Sequence, residues 1–298
     1  MKRAFVIIAL VFILIGTVVV TATFALSGFD FKKLSTVTFD SRVHQLDGDV
    51  NIIDINVKSD VRIEKSPDRI CRVISYESNR ISHLAAVEDG VLKIETEDKT
   101  SFYKWWENIT VYTDSEWVTL QLPAEKYDSL KIKTLSGDVA IVSDLSYGDV
   151  TVNSTSGDIF LTGETDSLSI KSTSGEIDIT SLNVNGNADI KTTSGDVEIK
   201  SMSADKLQVN SASGDIEVEN IKSTGDLSIK TTSGEIELVG CDVGKSILLV
   251  STSGDIGGRL IGEWSFITDT VSGSVSVPNR NSEKECRVKT TSGDIYFK

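Results

Sequence analysis

The residues best placed to do chemistry are carboxylates that recur at a fixed offset from glycine. A Ser-Gly pair repeats with its glycine at Gly137, Gly157, Gly175, Gly195, Gly214, Gly234, Gly254, Gly273 and Gly293, 18 to 20 residues apart. Directly after it stand Asp138, Asp158, Glu176, Asp196, Asp215, Glu235, Asp255 and Asp294, with Ser274 as the one break. If the repeats stack as strands, neighbouring carboxylates lie about 5 Å apart. Retaining glycosidases use a similar separation, and stacked carboxylate oxygens also suit calcium, which takes several at once. Catalysis, however, needs one pair set apart from its neighbours by burial or partners inside a cleft. Near-equivalent acids on repeats of uniform length provide neither. Lys133, Lys171, Lys191, Lys230 and Lys289, four residues before the glycine, offset the repulsion that calcium would otherwise relieve. The repeat also lacks the glycine-rich nonapeptide of calcium-binding rolls. The column therefore reads as solvated turns with no catalytic role and no cofactor, Ca²⁺ being the alternative ligand.

A second candidate is aromatic. Phe102, Tyr103, Trp105, Trp106, Tyr112 and Trp117 crowd into 16 residues. Exposed aromatics stack on sugars and anchor protein interfaces; the competing role is to plug one end of the structure. Cys71, Cys241 and Cys286 show no CxxC spacing, and His44 and His83 stand alone, so no zinc site is visible and the histidines read as surface or turn residues. The formal net charge of −14 argues against nucleic acid and anionic lipid as partners.

The elements that hold these residues follow from the repeat. Two residues after each glycine stands a β-branched residue, from Val139 to Ile295; five and seven before it the positions are apolar almost throughout, as in Ile132 and Leu130. Apolar residues two apart share one face of a strand. The inward parity changes across the glycine, so the chain turns a corner there. A Ser or Thr always stands three before the glycine and predicts a hydroxyl ladder at that corner. A shorter third side carries Leu145, Leu182, Val184, Met202 and Ile221. Such coils bury a core only when stacked, which predicts an all-β, parallel β-solenoid of about nine 18–20-residue coils over residues 129–298, about 40 Å long. Residues 38–128 are β-rich but irregular and predict the cap that covers an open end.

Lys2 and Arg3 precede a run that is apolar almost throughout from Ala4 to Leu26. At about 1.5 Å per residue it spans about 30 Å, and the preceding cations send the remainder out of the cytoplasm. The chain thus divides into a cytoplasmic stub (1–3), a transmembrane signal-anchor (4–26), a linker (27–37), the cap and the solenoid. A secreted form, cleaved after Ala22 or Ala25, is the alternative, although the run exceeds the usual signal-peptide core.

The order DGDVNI, DVRIEKS, VEDGVLKIET, VTLQLPAEKYDSLKIKTLSGDVAI and then the Ser-Gly-acid coils resembles the bacterial β-strand-repeat family of putative adhesins, over about residues 38–298. The resemblance implies a β-solenoid at the cell envelope without known catalytic residues. Together these readings give a non-catalytic, membrane-anchored adhesion or protein-interaction module with a protein or glycan partner. An envelope-stress or regulatory accessory and a glycan-active β-helix enzyme are the alternatives.

Overall fold

The computed structural model describes residues 2–28, 37–99, 115–142 and 144–298. One helix, α1 (Lys2–Ser27), precedes the strands. Those before the repeats are β1 (Phe39–Leu46), β2 (Ile52–Val57), β3 (Asp60–Lys65), β4 (Cys71–Ser78), β5 (Ile81–Glu88), β6 (Val91–Asp98) and β7 (Trp117–Leu122). The repeats supply β8 (Lys126–Thr134), β9 (Val139–Ile141), β10 (Ser146–Ser154), β11 (Ile159–Ser172), β12 (Ile177–Val184), β13 (Asn187–Ser194), β14 (Val197–Lys200), β15 (Ser203–Ala204), β16 (Lys206–Ser213) and β17 (Ile216–Glu219). They end with β18 (Lys222–Ser223), β19 (Leu227–Lys230), β20 (Ile236–Val243), β21 (Ser246–Val250), β22 (Ile256–Leu260), β23 (Ser265–Ser272), β24 (Val275–Ser276), β25 (Glu285–Ser292) and β26 (Ile295–Phe297).

These strands form a parallel β-solenoid of about eight turns. The Ser-Gly repeat predicts about nine coils, against the about eight turns found. The entry wall, before each corner, runs in space β2, β8, β10, β11, β13, β16, β19, β21, β25, β23. The exit wall, after each corner, runs β3, β9, β11, β12, β14, β17, β20, β22, β26, β24. Registry is set by the alternation of side chains. Ile132, Val152, Ile170, Ile190, Val209 and Ile229 stack in the bore with essentially no exposure, as do Leu145, Leu182, Val184, Met202 and Ile221 on the third side. A one-residue slip would turn every one of them to solvent.

The corner demands glycine twice over. Gly195 has φ 117°, and a Cβ there would stand 2.1 Å from the carbonyl oxygen of Gly175 in the coil below. Its conformation and the coil-to-coil approach both exclude a side chain.

Both ends of the stack depart from sequence order. The first coil in the chain, β2–β3, lies between β6 and β7 on one side and β8–β9 on the other. The last, β25–β26, inserts between β21–β22 and β23–β24. The outermost distal coil is therefore β23–β24, and it carries the departures from the repeat: Thr268 at an inward position and Ser274 at the acid position. A terminal coil needs a more polar outer face because nothing stacks on it. At the opposite end β5 pairs antiparallel with β6, and β4 with β7, with β1 outside β4. These antiparallel strands cover edges that a bare parallel stack would leave open.

Along α1, side chains are described at 11–22, 25–26 and nearby Gly28. Phe12, Ile13, Leu14, Val18 and Val20 are all exposed. Among the described residues no helix is long and apolar enough to cross a membrane.

Candidate functional site

The acidic column stands on the exposed corner, and its oxygens are already engaged. Asp60 Oδ1 accepts the amide of Asp138 at 3.0 Å, Asp138 Oδ1 that of Asp158 at 2.8 Å, and Asp158 Oδ1 that of Glu176 at 2.8 Å. The series resumes from Asp196 to Asp215 and from Asp215 to Glu235, each at 2.8 Å. It closes from Asp255 to Asp294 and from Asp294 to Ser274, each at 2.7 Å. Every aspartate thus ties its coil to the next through a charge-assisted bond along the rod axis. Glu176 and Glu235 make no such bond among the described residues, since an extra methylene carries the carboxylate past the amide. Ser274 needs no carboxylate, because among the described residues no coil lies beyond it. The acids are exposed at the turns, as the sequence predicts, and the aspartates make these bonds in addition. Among the described residues the lysines four before the glycine do not pair with the column: the ion pairs they form are Lys191 with Asp189 at 2.5 Å and Lys289 with Asp269 at 3.1 Å, both on the entry wall.

The hydroxyl column behaves as expected. Ser154, Ser172 and Thr192 donate to the carbonyls of Ser156, Ser174 and Ser194 within their own corners at 2.8 to 3.0 Å. In the distal coils Thr290 and Thr270 donate instead to Gly254 and Gly293 of the neighbouring coil. Cys71, Cys241 and Cys286 are buried and unbridged, and burial pushes their thiols up to about 11, 11 and 12. At neutral pH they are protonated and unreactive.

Of the aromatic cluster, Phe102, Tyr103, Trp105, Trp106 and Tyr112 lie outside the described residues. Trp117 opens β7 and continues a stack of rings across three strands: Phe39 to Tyr76 at 5.2 Å, Tyr76 to Trp117 at 5.9 Å. Beside it a groove of about 360 Å³ is lined by Asp60, Arg62, Trp117, Thr119, Asp138 and Ala140.

One cluster was not legible beforehand. His83 is buried rather than at a surface, and its Nε2 shares a hydrogen bond of 2.7 Å with Ser59 Oγ. Glu77 Oε1 accepts the His83 amide at 2.9 Å and the Ser75 hydroxyl at 2.8 Å, while Arg42 Nε lies 3.3 Å from Oε2. His83 Nδ1 is 3.5 Å from Glu77 Oε1 but makes no aligned hydrogen bond. Burial pushes the imidazole pKa down, against the raising influence of Glu77 and Glu116. The Ser-His-Glu composition resembles a hydrolytic triad, but Ser59 and His83 are each only 5% exposed and the base lacks an aligned orienting bond. Ser59 occupies the place that glycine takes in later corners, which links β2–β3 to the antiparallel end. His44, by contrast, is exposed in β1 as expected.

Fold and surface together define a repeat solenoid whose corner aspartates tie each coil to the next. The chain belongs to the Toastrack DUF4097 family, whose model matches residues 40–298. No curated protein matches it. Among solved structures it is similar to a "putative lipid binding protein" from Parabacteroides distasonis, at 16% identity and TM-score 0.56, covering 89% of this chain and 98% of that one. A "putative adhesin" from the same organism aligns at 15% identity and TM-score 0.52, covering 87% and 97%. Another from Parabacteroides merdae aligns at 12% and 0.51, covering 88% and 96%. At these identities the likeness is one of fold.

Proposed function

We propose that the chain is a non-catalytic, membrane-anchored solenoid arm that presents an adhesion or protein-interaction surface outside the cytoplasm. What supports this is the sequence of α1, apolar almost throughout from Ala4 to Leu26, together with the exposure of its described large apolar side chains such as Phe12, Ile13 and Leu14. Exposed apolar surface of that extent belongs in lipid rather than water, and Lys2 and Arg3 before it favour export of the rod. The non-catalytic reading is supported by corner carboxylates engaged as backbone acceptors. The names given to the structural neighbours fit a protein or lipid partner, and we assign partner contact to the Trp117 groove.

The test uses membranes from cells making the full chain. The protein stays in the pellet after alkaline carbonate washing, with the rod open to protease from the extracytoplasmic side only. Leu14→Arg with Ile15→Arg releases it into the supernatant. A wild-type chain that washes off, or a mature N-terminus beyond Ala25, overturns the anchor.

A further inference from the structure

The solenoid is acidic overall, yet its charge is sorted between walls. On the entry wall, Lys133, Asn153, Lys171, Lys191, Asn210 and Lys230 stand directly over one another on successive strands. The four lysines are exposed, and Lys133, Lys171 and Lys230 make no intrachain ion pair among the described residues. On the exit wall, Asp178, Glu198, Glu217 and Glu237 stack in register in the same way. The corner acids flank that stripe, two residues away on the same outward parity. Like charges stacked on adjacent strands repel. Lys200, paired to Glu198, answers only part of this, and burial together with Glu219 and Glu198 pushes the Glu217 carboxyl above its ordinary range.

We propose that the lysine column of one copy docks on the acidic stripe of a second copy, side by side. Charge complementarity is one argument and period is the other. Both columns are built on the same stack of strands and share its step of about 4.8 Å. A second solenoid is thus a partner whose spacing matches coil for coil, whereas an extended peptide repeats its side chains at a different interval. Among the described residues, coils of uniform length leave both walls without projecting loops. Because the two patches differ, the contact is heterologous, and it extends into a row or closes into a ring according to the angle between the walls. Exposed pairs are individually weak, so binding depends on several pairs engaging together and weakens as salt screens them.

The full chain in uncharged detergent, followed by sedimentation velocity at about 20 and 500 mM salt, tests the contact. Wild type associates at low salt and returns to single chains at high salt. Lys171→Glu with Lys191→Glu and Lys230→Glu gives a chain with two acidic walls that stays single. Glu198→Lys with Glu217→Lys and Glu237→Lys gives two basic walls and also stays single. The three lysines are exposed and the three glutamates half-buried on the outer face, and unchanged melting shows that both variants are folded. Mixed one to one, the two variants associate again. A wild type that is single at every concentration at low salt overturns the proposal. So do triple variants that still self-associate, or association that requires Ca²⁺ and ignores the lysines.

Discussion

Glu176 and Asp196 occupy equivalent corners and differ by one methylene, yet Asp196 accepts the amide of Asp215 and Glu176 accepts no counterpart. Side-chain length decides which acids are structural. Asp196→Ala removes a charge-assisted acceptor at an exposed corner and costs about 1 kcal/mol; Glu176→Ala costs a few tenths, within the range of ordinary surface changes. Thermal melts of the two variants side by side check this, and equal losses would contradict the ladder. The repeat displayed the column in full, but it could not display the bonds. A run of acids beside glycines is equally consistent with solvated turns, calcium or catalysis until the backbone amide of the next coil is placed. The break at Ser274 was visible too, and only its position at the outer face of the stack explains it.

At the scale of elements, one buried cluster links the antiparallel end to the first coil. His83 on β5 reaches Ser59 between β2 and β3, and Glu77 on β4 receives His83, Ser75 and Arg42. The imidazole pKa is held below its ordinary 6.5, chiefly by burial. Burial pulls the Glu77 carboxyl up, but the His83 amide, the Ser75 hydroxyl and Arg42 outweigh it, and the net shift is below 4.5. Below pH 6.5 the unfolded chain takes up the histidine proton more readily than the folded one, so stability falls with pH from there. Glu77 adds a second loss below pH 4.5, through its folded pKa. The unfolding temperature should therefore drop between pH 7 and pH 5, and His83→Gln should flatten that slope whatever it does to stability at pH 7. A slope unchanged in the variant removes His83 as the cause. This cluster was hidden because its members come from three strands joined by long-range pairing, and none has a local pattern that marks it.

At the scale of the molecule, the fold class, the corners and the inward residues were readable from periodicity alone, since a stack repeats its demands at every coil. The order of the end coils was not: Thr268 and Ser274 set β23–β24 apart from the repeat, but nothing local says that it stacks outside β25–β26. What locks the inserted coil is specific. Tyr296 lies across Gly257, where a Cβ would stand 2.2 Å from its ring, and donates its hydroxyl to Glu235 at 2.8 Å, two coils away. Deleting residues 285–298 should accordingly do more than shorten the rod. It separates β23–β24 from β21–β22, so limited proteolysis should cut within residues 259–284 in the deletion variant and spare them in the full chain. Protection of that segment in the shortened chain would show that the outer coil can seat without the inserted one.

The same insertion sets a timetable. A chain that emerges from a ribosome or a translocation pore amino end first presents β23–β24 before β25–β26, yet the later segment belongs beneath the earlier one. Winding coil upon coil as the residues arrive cannot complete this end. The outer coil must wait, or dock and lift, until the last strands are free to slide in. The distal tip is thus completed only once β25–β26 has emerged and taken its place between the two earlier coils.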